Sequence, residues 1–228
     1  MKRNTYVIIS VIFVLSLSTS GIMAGGKSFE GIITYKITYP DSKYTESQQA
    51  MLPKMVAVTI KGPNSKTEIK TGMGNQVEIK DYTTKSSVTL IDMMGQKYAV
   101  KSTAEEIEKE NAKEPKPSIE ITKETKVIAG YTCKKAIVTV NDDGVISKYD
   151  VFFTDELGPQ AANFDNPLYK DIDGVMLEFS MKTPQFTMVF SATAVEKKNI
   201  SGKEFEIPSD FTPITKDELK SKFGGMGQ

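Results

Sequence analysis

Residues 131–153 read YTCKKAIVTV-NDDG-VISKYDVFF: two runs rich in β-branched and aromatic residues, hinged at Asn141-Asp142-Asp143-Gly144. An acidic Asp-Gly step between two such runs is the short-range signature of a β-hairpin, because the tight hairpin turns need positive φ at their centre. The same rhythm extends in both directions. On the C-terminal side, Val175, Leu177, Phe179 and Met181 alternate with Glu178, Ser180 and Lys182, Thr183-Pro184 turns the chain, and Phe186, Met188, Phe190, Ala192 and Ala194 line the next run. On the N-terminal side, Ile119 and Ile121 open a strand that Ala129-Gly130 punctuates. Far upstream, Phe29, Gly31, Ile33, Tyr35, Ile37 and Tyr39 alternate with Glu30, Thr34, Lys36 and Thr38. Period-2 alternation of this kind marks half-buried antiparallel strands.

Between these blocks, Val56-x-Val58-x-Ile60, Thr67 to Lys70, Val77-x-Ile79, Val88-x-Leu90 and Tyr98-x-Val100 form further short strands. Gly62-Pro63, Gly72-Met73-Gly74 and Met94-Gly95 separate them, as in a meander. Two overlapping capping boxes, Ser102 with Glu105 and Thr103 with Glu106, open a polar helix that runs to about Lys113; its one interior apolar residue, Ile107, makes it a surface helix. Phe205-Glu206-Ile207-Pro208 reads as a last edge strand, and Thr215 with Glu218 caps a short C-terminal helix ending at Phe223. These patterns give an expected fold that is mostly β and antiparallel, with a few short helices.

The first residues have a different character. Lys2 and Arg3 precede the apolar run of residues 6–17, and small residues lead to Ala24, the three-part layout of a secretory signal peptide. The expected organisation is a cleaved signal peptide at 1–24, one β-rich domain at 25–223 and a flexible Gly/Met tail at 224–228. The product is expected to be exported, periplasmic or secreted, soluble after cleavage and not lipid-anchored, because Cys133, the only cysteine, lies far from the cleavage site.

Composition narrows the chemistry. The 228 residues include no His, no Trp and one Cys, with 29 Lys+Arg balancing 29 Asp+Glu, and the lone arginine is Arg3. Without imidazole there is no His base and no His-ligated metal. With the one arginine in the expected signal peptide and no excess positive charge, nucleic acid is excluded as a partner. A lone cysteine forms neither an intramolecular disulfide nor a cluster. The acidic pairs Asp142-Asp143, Asp155-Glu156 and Asp171-x-Asp173 have turn chemistry rather than ligand spacing. Cys133 reads as a small core residue, and Lys134 and Lys135 lack any cofactor motif beside them. The reading assigns no catalytic residue, no metal site and no cofactor.

Eleven Met, eleven Phe and nine Tyr are spread mainly over the β segments. Thioethers and rings on a curved sheet suit an adaptable apolar lining. Met176, Thr187, Val189 and Val195 place apolar or neutral groups on the second face too, so this sheet is covered twice or keeps one face for a ligand.

The stretch Ile128-Ala129-Gly130-Tyr131-Thr132-Cys133-Lys134-Lys135-Ala136, then Phe152-Phe153-Thr154-Asp155-Glu156-Leu157, then Asp173-Gly174-Val175-Met176-Leu177-Glu178, resembles a secreted bacterial family of unknown function, the GLPGLI-type proteins. More distantly it is similar to outer-membrane lipoprotein carriers of the LolA/LolB type; the resemblance covers about residues 119–212. It implies an exported, strongly bent antiparallel sheet, a half-open barrel whose concave side is closed by helices, a concavity that in the carriers holds acyl chains, and it transfers no residue roles. The expected function is therefore binding of a lipid or other apolar small molecule by a monomer. The groove would be lined by Tyr35, Ile37, Val151, Phe153, Leu177, Phe179, Phe186, Met188 and Phe190. The alternative is an envelope interaction protein with a packed core, docking a protein partner by a sheet edge or the tail.

Overall fold

The computed structural model describes residues 29–71, 74–93, 95–158, 162–183 and 185–223. The signal peptide and the tail expected from the sequence lie outside the described residues.

All twelve strands join one sheet. In chain order the elements are β1 (Glu30–Thr38), α1 (Glu46–Ala50), β2 (Met55–Lys61), β3 (Asn64–Thr71), β4 (Gly74–Asp81), β5 (Ser86–Met93), β6 (Gln96–Ser102) and α2 (Ala104–Asn111). There follow β7 (Ser118–Ile128), β8 (Tyr131–Asp142), β9 (Val145–Thr154), β10 (Val175–Lys182), β11 (Thr187–Lys197), a 3-10 turn (Gly202–Phe205), β12 (Thr212–Ile214) and α3 (Lys216–Phe223). The spatial order is β12-β6-β5-β4-β3-β2-β1-β11-β10-β9-β8-β7. Two antiparallel meanders, β2–β6 and β7–β11, are thus joined by β1, which pairs with β2 on one side and β11 on the other. The sheet is curved and unclosed, a half-open barrel: the alternation implied its antiparallel strands and the resemblance its open, bent form.

The turns follow from local chemistry. Asp142 pairs with Val145 across Asp143 and Gly144, with φ of 48° and 90°, and Ile128 pairs with Tyr131 across Ala129 and Gly130, with φ of 49° and 88°. Two consecutive positive φ values make the I′ turn that matches strand twist. Of the two capping boxes before α2 the structure uses the second: Thr103 accepts from Glu106 N, and the Glu106 carboxylate accepts from Thr103 N at 2.8 Å. Thr215 and Glu218 do the same for α3. The edge strand expected at Phe205 to Pro208 is not one. Ser201 accepts a hydrogen bond from Lys203 N and starts the 3-10 turn instead. Phe205 then packs on Ile79, Leu90 and Ala99, and the last strand is β12, parallel to β6.

That cluster and the main core lie on opposite faces. In β4, Val77 and Ile79 point to the outer face beneath Phe205 and Phe211, so Glu78 and Lys80 point inward. The inner face carries the larger core around Ile33, Tyr35, Val56 and Ile60, continued by Val151, Phe153, Tyr169 and Ile172. It is covered by residues 155–158 and 162–174 of the long connection between β9 and β10, the 155–174 segment. Leu157, Phe164, Tyr169 and Ile172 of this segment are buried, and α2 braces it through Asn111, whose amide donates to Phe164 O. Both faces are therefore covered in part.

Candidate functional site

Where β1–β4, β10 and β11 curl beneath the 155–174 segment, a cavity of about 530 Å³ remains. Lys80 of β4, Tyr82 just after it, and Met176 and Phe179 of β10 line it together. On a flat sheet the five strand-to-strand steps between them would span about 24 Å, so the shared wall is a direct measure of curvature.

One wall is apolar. Val56, Val58 and Ile60 alternate along β2, and Phe179 stacks on Phe190 with ring centroids 4.8 Å apart and 3° between planes. Phe179 also meets the edges of Tyr35 and Tyr169, both at 6.1 Å. The tyrosine hydroxyls are spent inside the protein: Tyr35 donates to Met176 O at 2.9 Å and Tyr169 to Ser180 O at 2.5 Å. Burial pushes both phenols above their ordinary range, so neither ionises at neutral pH.

The opposite end is polar. Lys80 pairs with Asp165 at 2.5 Å and Glu78 at 3.3 Å, its side chain 17% exposed. Burial works against the Lys80 ammonium, but the two carboxylates outweigh it and raise its pKa above the usual lysine value. Asp165 Oδ1 is buried without a hydrogen-bond partner. Beside it, Asn163 donates to Ile172 O at 2.9 Å and to Gly174 O at 3.0 Å, and Tyr82 donates to Ser65 at 2.7 Å.

Of the nine residues expected to line a groove, Tyr35, Phe179 and Phe190 stand in the cavity wall. Ile37, Val151, Phe153 and Leu177 are packed in the core at 4% exposure or less. Phe186 sits between Tyr39 and Tyr44 near the β10–β11 turn, and Met188 packs against the core. A bulge accounts for Leu177. The β10 register against β9 shifts between Met176 and Glu178, which sends Leu177 to the core and brings Met176 to the cavity beside Phe179. Just before β10, Gly174 (φ 140°) lets the chain approach β9 closely, since a Cβ there would lie 2.6 Å from Thr154 O.

Sequence reasoning missed Glu78, Lys80 and Asp165. Alternation in β4 separated the charged face from the apolar one but did not say which looks inward.

Other candidates take structural places. Cys133 is fully buried, and burial pushes its thiol up to about 11. Lys134 pairs with Asp155, and Lys135 with Glu124 and Asp150. Among the described residues no three Cys, Asp or Glu side chains converge as a metal site would require, and no helix is long and apolar enough to cross a membrane.

Fold and cavity together define a half-open β-barrel with an amphipathic hollow. Residues 37–212 match the family described as "N-glycanase peptide, N-terminal domain", and the chain belongs to that family. No curated protein matches the chain. Two solved structures are similar to it. One is a β-barrel-like protein of a domain of unknown function from Brucella abortus, at 7% identity and a TM-score of 0.39 over 75% of this chain and 99% of that one. The other is LprF from Mycobacterium bovis, at 13% identity and a TM-score of 0.32 over 80% and 90%.

Proposed function

We propose that the protein is a non-enzymatic, exported binding protein whose ligand is an apolar, lipid-like molecule held between the curved sheet and the 155–174 segment. The observation that carries this reading is the cavity of about 530 Å³ with a continuous apolar wall on β2, β10 and β11, a size and lining typical of small-molecule sites. The motif resemblance to GLPGLI-type proteins and lipoprotein carriers points the same way. The charged amino terminus, apolar run and Ala24 support export to the periplasm or beyond. Reactive side chains are disarmed: Cys133 is buried and protonated, Lys80 and Lys135 are held charged by carboxylates, unlike the neutral lysine a Schiff base needs, and Lys134 is engaged by Asp155.

Native mass spectrometry of the mature protein, purified without detergent and then solvent-extracted, is the test. A bound mass releasing a lipid or other apolar molecule is the expected result; a bare mass with no uptake of an apolar fluorescent probe overturns the reading. Phe179→Ser should lower probe retention by about tenfold or more while the β-rich far-UV spectrum persists. Met181→Lys, at a half-exposed wall position, should do likewise without stressing the core.

The family description supports a second reading, a non-catalytic domain that presents glycopeptides to an N-glycanase. Saturable binding of a glycopeptide, with none of the apolar probe, would favour it. Edge docking of an envelope protein fits less well. Of the two outer strands, β12 is only three residues long, and β7 has its register broken between Ile121 and Thr125 and carries Lys123 and Glu124 there, features that oppose strand addition.

A further inference from the structure

We propose that Glu78, Lys80 and Asp165 form the head-group end of the cavity and select amphiphiles whose head donates hydrogen bonds, an amine or a hydroxyl, over those ending in a carboxylate or phosphate. The inference rests on the binding function proposed above and specifies its ligand class. These three are the only charged side chains lining the cavity among the described residues, and they leave one negative charge in excess. Lys80 is already shared between the two carboxylates, so an anionic head brought to it meets both of them. Acceptors, by contrast, are in surplus. Asp165 Oδ1 is buried with no donor, and Asn163, both of whose recorded hydrogen bonds are made by its Nδ2, keeps its carbonyl oxygen to offer. A buried carboxylate oxygen without a donor is costly, and a small turn of the Asp165 carboxylate, whose side chain is 17% exposed, brings Oδ1 to a ligand N–H or O–H in the cavity and relieves that cost. The apolar wall on Phe179, Phe190 and β2 then takes the chain of the amphiphile.

The test compares decylamine, decanol and decanoate, equal in chain length, by native mass spectrometry and by displacement of an apolar fluorescent probe from the full mature chain at neutral pH. Wild type should hold the amine and the alcohol about tenfold or more tightly than the carboxylate. Asp165→Asn should shrink that preference to about threefold or less while the probe alone still binds. Glu78→Gln, which removes the same charge and leaves the Asp165–Lys80 pair intact, gives an independent reading if the first variant is unstable. Decanoate binding as tightly as decylamine, with the probe still displaced, overturns the selectivity and leaves the apolar cavity standing. Failure of the probe and all three amphiphiles to bind overturns both.

Discussion

Cys133 shows how much a single residue reveals. It lies on β8 with no exposed surface, and its thiol donates to Tyr131 O at 3.6 Å. The thiol of the unfolded chain ionises near pH 9, and the buried one at about 11. The fold therefore holds the neutral form, and this contribution is intact below about pH 9, falls as the pH rises and is gone past about 11. Denaturant unfolding followed from pH 8 upward should show a loss of stability that Cys133→Ala removes. A second loss above about pH 10 should remain, because Tyr35 and Tyr169 are also held neutral by burial. The buried cysteine was legible in the sequence, since a lone thiol in an alternating strand has little else to do. Lys80 was not. Its inward position is set by the outer cluster that claims Val77 and Ile79, and that cluster is completed by Phe205 and Phe211, more than a hundred residues away.

At the scale of elements, turns and caps were written locally and strand faces were not. Asp143-Gly144 and Ala129-Gly130 are I′ turns, and Thr103 and Thr215 cap their helices, each from neighbours within four residues. Ala129 sits at φ 49°, a conformation that costs an alanine about 1 kcal/mol. Ala129→Asn should raise stability by about 0.5–1 kcal/mol, read as a higher denaturant midpoint at constant slope. The bulge in β10 was not legible, because it depends on how β9 and the 155–174 segment meet it, and one displaced residue moved Leu177 out of the cavity wall and Met176 into it. Nor was the segment itself, which reads as polar turns around a few apolar residues. Its internal fastening is Asn163, 7% exposed, which ties the middle of the segment to its own end at Ile172 and Gly174, just before β10. Asn163→Ala leaves two buried carbonyls short of a donor and should cost about 2–3 kcal/mol in chemical denaturation, with faster proteolysis between residues 155 and 174.

At the scale of the whole molecule, two local meanders become one curved sheet through β1. The inner face, with its apolar wall and single charged end, exists only because that seam is closed: Tyr35 of β1 stands between Val56 of β2 and Ala192 of β11. The two meanders form from neighbours in the chain, but the seam joins strands about 150 residues apart in sequence. Time enters here. Made at about 5–20 residues per second, the first strand of the sheet waits roughly 10–30 s for its second partner to be synthesised. Until then β1 is an apolar ribbon open on at least one edge, and the hollow has no floor. A chain whose seam closes last stays unfinished until nearly all of it has been made, a condition compatible with the export proposed above.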